Sequence, residues 1–124
     1  MAEDPHNRFA ADVDSVTMKS VLGALVPSAI AAFFTEQPPP IFAEPEMKGL
    51  NAFVMLEKDQ GLPMAGQEAL MQRSGVEWVV RRLDTSHTAP FLTRTADLVK
   101  VVEELVVVFK RELERVRVVC VGKT

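Results

Sequence analysis

The chain has 124 residues, 48% of them hydrophobic and 25% charged, with a formal net charge of −3 and a mean hydropathy of +0.10. That length fits one domain with a modest core. The mildly negative charge gives no electrostatic ground for nucleic acid or an anionic membrane as partner. A single cysteine, Cys120, excludes an internal disulfide framework and points to a reducing compartment. The opening Met-Ala-Glu-Asp-Pro-His lacks the features of a signal peptide, and apolar runs such as Leu105–Phe109 are too short to span a bilayer. A soluble, cytoplasmic protein is expected.

Residues 1–13 read as an irregular lead-in. Asp14 or Ser15 can cap a helix running to about Leu25, with Val16, Val21, Leu22 and Leu25 on its apolar side. Pro27 interrupts it and can open a second short helix, Ser28 to Phe34. Two short apolar helices broken by proline suit a lid. Pro38-Pro39-Pro40 and Pro45 make Glu36–Gly49 an extended linker. Two units follow from this pattern: residues 1–49, with lead-in, lid-like helices and linker, and residues 50–124, the core.

Ala52-Phe53-Val54-Met55-Leu56 is apolar on both faces, as a parallel strand covered on both sides would be. Gly61 and Pro63 turn the chain into a helix from Pro63 to about Arg73, ended by Ser74-Gly75. Glu77–Leu83 is a second strand, nearer an edge. The loop Asp84–Arg94 carries His87 and Pro90, and Thr93 or Thr95 then caps a long helix. Its apolar stripe is Leu98, Val102, Leu105, Phe109, Leu113 and Val116, widened by Val106-Val107-Val108, which predicts a first half buried nearly all round. Val116–Val121 is strand-like or the frayed end of this helix. The five Lys/Arg against two Glu between Lys110 and Thr124 read as a solvated helix face.

Strand, helix, strand and helix with short connections imply a βαβ unit with parallel strands. In such sheets functional groups collect at the carboxyl ends of the strands. Asp59 and His87 both fall there, one strand–helix–strand unit apart. Neighbouring strands would bring the two side chains within hydrogen-bond reach, where a carboxylate orients an imidazole and stabilises the imidazolium formed as it takes a proton.

The turn Leu56-Glu57-Lys58-Asp59-Gln60-Gly61-Leu62-Pro63 resembles the E-x-D-x-x-(L/I)-P turn that carries the acid of α/β-hydrolases of the small esterase and lyase-like branch. The loop Leu83-Asp84-Thr85-Ser86-His87-Thr88-Ala89-Pro90-Phe91-Leu92-Thr93 resembles that family's L-D-(T/A)-(G/S)-H-S-P-F-L-S histidine loop. It departs in having Thr88 for serine and Ala89 as an insertion before Pro90. Pro27–Phe34 is similar to the end of the family's lid. The resemblance covers about two thirds of the chain. It implies a truncated α/β fold: a helical lid segment, two or three mainly parallel strands with flanking helices, and a long C-terminal helix. It also implies Asp59 and His87 as catalytic acid and base, with Phe33 and Phe34 facing a substrate or packing the lid onto the sheet.

The family's nucleophile elbow, G-x-S-x-G, and its oxyanion hole lie in the N-terminal half of that fold. Ser15, Ser20, Ser28, Ser74 and Ser86 have no such context, and Val118-Val119-Cys120-Val121-Gly122 lacks the first glycine. His6 and His87 lack metal-ligand spacing, so neither a metal nor another cofactor is expected. Three readings stand: a hydrolase-like protein not catalytic alone, with an auxiliary role in secondary-metabolite chemistry; an ester hydrolase whose nucleophile comes from another chain; and a fragment with no function of its own. The expected ligand is a small apolar ester or lactone. A half domain would expose a strand edge and apolar surface, which predicts a homo-oligomer or a complementing protein chain.

Overall fold

The computed structural model describes residues 4–24, 36 and 38–121. Among them the chain forms a mixed α/β fold of five helices and a two-stranded parallel sheet. Helix α1 (Pro5–Ala10) and α2 (Ser15–Ala24) precede two 3-10 turns, Ile41–Ala43 and Pro45–Met47. Then come β1 (Ala52–Leu56), α3 (Met64–Ser74), β2 (Val79–Leu83), the one-turn α4 (Ala89–Leu92) and the long α5 (Thr95–Val121). Among the described residues, no helix is long and apolar enough to cross a membrane. The expected helix Ser28–Phe34, with Phe33 and Phe34, lies outside the described residues.

The expected strands, the helix between them and the parallel pairing are present. Gly75 ends α3 in the left-handed conformation (φ 69°), and its amide donates to the Gln72 carbonyl at 3.3 Å. Asp14 caps α2, its Oδ1 accepting the amides of Val16 (3.1 Å) and Thr17 (2.9 Å).

The lead-in and the linker are corrected. The lead-in holds α1: Asp4 accepts the His6 amide at 3.0 Å, and Pro5 opens the helix where its missing N–H costs nothing. The linker contains the two 3-10 turns rather than extended chain throughout. Of the two readings of Val116–Val121, the helical one holds, since the segment continues α5.

Two small cores hold the elements together. Val101 and Leu105 of α5 pack with Leu83 against one face of the sheet, joined by Ala52, Val54, Leu56, Val79, Leu98 and Phe109. Ala10, Val13 and Met18 pack with Ala89, seating α1 and α2 on α4. On the opposite sheet face Met55 is buried, and Phe53 and Phe42 flank the Trp78 ring at 5.9 and 5.3 Å. The Trp78 indole N–H donates to Ser74 Oγ at 2.8 Å. The first half of α5 is buried on one side only: Val99, Val102, Val106 and Val107 remain exposed, because a two-stranded sheet covers one stripe of a helix.

The outer edge of β1 has an internal stopper. The Asn51 carbonyl and the Glu57 amide point at β2 (2.9 Å each), so by alternation Ala52, Val54 and Leu56 turn their backbone groups the other way. Gln67, buried on α3, meets Leu56 there as a neighbouring strand would. Its Oε1 accepts the Leu56 amide at 2.9 Å, and its Nε2 donates to the carbonyls of Leu56 (2.9 Å) and Leu62 (2.8 Å). Replacing Gln67 by Ala is expected to cost about 2–3 kcal/mol by urea unfolding, since it strips partners from part-buried backbone groups. Gln67→Glu should lose nearly as much at neutral pH, having no N–H to offer either carbonyl.

Candidate active site: an Asp–His pair at the carboxyl end of the sheet

The strands pair with Ala52 opposite Val79 and Leu56 opposite Leu83. Pairing continues past both strand ends, as the Glu57 amide donates to the Leu83 carbonyl (2.9 Å) and the Lys58 amide to the Thr85 carbonyl (3.0 Å). This places Asp59 level with Ser86 and beside His87. His87 Nδ1–H donates to Asp59 Oδ2 at 2.7 Å, so the two residues singled out in the sequence meet. The other carboxylate oxygen, Oδ1, accepts the Leu62 amide at 2.8 Å, which fixes the carboxylate plane within its own turn.

Burial divides the pair. The Asp59 side chain is 2% exposed and the His87 side chain 46%. The acid is therefore enclosed and the imidazole is open to an incoming group. With Nδ1–H committed to Asp59, the neutral ring carries its lone pair on Nε2, the arrangement a general base needs. Ala89 and Pro90, which follow the histidine, are buried at the start of α4, and the His87–Asp59 contact forms beside them.

Residues that sequence reasoning missed hold the histidine loop from the N-terminal side. The Phe9 carbonyl accepts both the Thr88 amide (2.8 Å) and the Thr88 hydroxyl (2.9 Å). Both carboxylate oxygens of Asp12 accept the Ser86 amide, at 3.1 and 3.0 Å. The Phe9 ring stands edge-on to the imidazole, 5.5 Å between centroids. The signal for this segment was Asp4-Pro5, a cap followed by a first-turn proline; nothing in the sequence indicated where the helix docks.

No hydroxyl or thiol among the described residues hydrogen-bonds to His87. The Ser74 hydroxyl donates to the Met71 carbonyl, and that of Thr88 is committed to Phe9. Ser15 and Ser20 lie on α2 and Ser86 is buried. Cys120 sits in α5 rather than in a strand-to-helix elbow, 25 residues beyond the helix start and so about 37 Å along its axis. A cavity of about 340 Å³ lined by Phe42, Lys48, Asn51 and Glu77 lies at the amino ends of the strands, the wrong end for the pair. Among the described residues, no three His, Cys, Asp or Glu side chains are grouped to hold a metal ion.

The chain matches no protein-family model, no curated protein and no solved structure.

Two measurements probe the clamp. Limited desolvation alone would raise the Asp12 carboxyl, but hydrogen bonds from Ser86 and the Lys58 charge outweigh it and hold it below its ordinary 3.8. A carboxyl lowered on folding stabilises above its unfolded value and loses that contribution as pH falls through the folded one. The Ser86 amide resonance should therefore titrate below pH 3.8, and this titration should vanish in Asp12→Asn. Gly61 has no room for a side chain, since a Cβ there would lie 2.5 Å from the Phe9 ring. Gly61→Ala should displace Phe9 and shift the His87 ring-proton resonances, while a purely local effect would leave them unmoved.

Proposed function

We propose that this chain is a hydrolase-like protein of the α/β-hydrolase type that carries the acid and base of a triad and is not catalytic alone. The observation that carries this reading is the 2.7 Å bond from His87 Nδ1 to the enclosed Asp59 carboxylate, with the rest of the imidazole open. Purely structural Asp–His pairs exist. This one stands at the carboxyl ends of parallel strands, where hydrolytic sites form. Among the described residues no hydroxyl or thiol meets His87, and acyl transfer without a nucleophile and oxyanion donors lacks most of its transition-state stabilisation, so the isolated chain is expected not to turn over.

The same observation favours a second reading, an ester hydrolase completed by another chain. A hydroxyl or thiol brought to Nε2 would lose its proton to His87 as it attacks the ester carbonyl. Asp59 would stabilise the imidazolium, and His87 would return the proton to the departing alcohol. Water would then release the acid by the same path in reverse. A small apolar acyl ester fits this chemistry.

A chromogenic acyl ester tests both readings. The purified chain should show no turnover above buffer. Turnover by the chain alone that survives His87→Ala would overturn the assignment of the base. Mixed with a chain bearing a G-x-S-x-G elbow, it should gain an activity that falls about 10⁴-fold in Asp59→Asn, as expected when the orienting acid of a triad is neutralised. Cys120→Ser should leave that activity unchanged.

A further inference from the structure

One flank of α5, beside the row that packs on the sheet, carries an apolar stripe that the described residues of the protomer leave uncovered. Val99, Val102, Val106 and Leu113 are each 43–53% exposed. Phe109, half-buried against the sheet core, lies in the same row. Together they step by 3, 4, 3 and 4 residues, the a/d spacing of a coiled coil. The helix has 27 residues, about 40 Å in length, whereas β2 beneath it has five, about 17 Å. The sheet cannot cover such a helix along its length.

We propose that α5 pairs with α5 of a second copy of this chain as an antiparallel coiled coil. Charge selects both the partner and the direction. Glu103 and Lys110 flank the stripe on its solvent side, seven residues apart, both exposed. Neither has an ion-pair partner within the protomer among the described residues. Antiparallel packing centred between Val106 and Phe109 sets Val106 on Phe109 and Val102 on Leu113 of the second copy. It also brings Glu103 opposite Lys110 twice, once at each end of the two-fold axis. A parallel pair would instead set Glu103 opposite Leu98 and Lys110 opposite Leu105, leucines already spent on the sheet core. It would also place Val102 and Phe109 where two-stranded parallel coils want leucine. The pairing is independent of the hydrolase reading, since it uses none of the residues around His87.

Sedimentation equilibrium under reducing conditions tests the proposal. At about 100 μM, where a Kd near 10 μM leaves mostly dimer, the chain should sediment at twice the 13.7 kDa protomer mass. Val102→Glu and Val106→Glu, at exposed positions that spare the fold, should each give a monomer with unchanged helical circular dichroism. Glu103→Lys alone and Lys110→Glu alone should each weaken the dimer about tenfold by setting like charges opposite. The double exchange should restore it. A monomer at this concentration would overturn the proposal. So would a dimer indifferent to Val106→Glu, or single charge reversals that the double exchange does not rescue.

Discussion

Everything at the carboxyl end of the sheet depends on one parallel pairing. The register that sets Leu56 against Leu83 continues through two backbone bonds beyond the strands and lays the Asp59 turn against the His87 loop. A slip of one residue would turn Leu83 from the core toward the other face and part Asp59 from His87 in the same movement. Two strands alone are marginal in water, so the register has to be defended from outside the sheet. Helix α5 covers one face, and Met55 with the Trp78 cluster covers part of the other. Gln67 holds the end of β1 and Asp12 with Phe9 holds the loop after β2. The ion pairs across the strand ends, Lys58–Asp84 and Arg82–Glu57, are exposed and add no more than about 1 kcal/mol each.

The elements that sequence patterning located are those whose chemistry is local. Five apolar residues before a Gly/Pro turn made β1, Ser74-Gly75 stopped α3, and Asp14 capped α2 through amides two and three residues further on. The Asp59–His87 meeting was legible for the same reason, as two strand ends and one helix of ordinary length leave little choice of geometry. What escaped depends on contacts between distant segments. Six residues are too few for a helical period, so α1 has only its cap to announce it. The docking of Phe9 against Thr88 spans 79 residues. A glutamine on a helix carries no mark that it will close a strand edge. The long helix was over-buried in expectation because its valines are apolar all round, while one stripe alone finds the sheet.

The clamp has a chemical consequence. A histidine on a loop would ordinarily sample several rotamers and lose its bond to the acid part of the time. Here Ser86 and Thr88, the residues on either side of it, are tied by their amides to the N-terminal segment, and Asp59 is tied to the Leu62 amide. The imidazole is thus held in one orientation by the fold itself, which is the state in which an Asp–His pair is effective.

The outer edge of β1 is defended at the same point. Among the described residues, the outward backbone groups of Ala52 and Val54 have no partner, whereas Gln67 satisfies both those of Leu56. A strand added to that edge could pair with the first part of β1, but it would have to displace the Gln67 amide to reach the carboxyl end. Displacement would also release the Leu62 carbonyl, in the turn that carries Asp59. One side chain therefore guards the strand edge and steadies the acid turn, so the edge cannot be extended to the Asp–His pair without disturbing the pair itself.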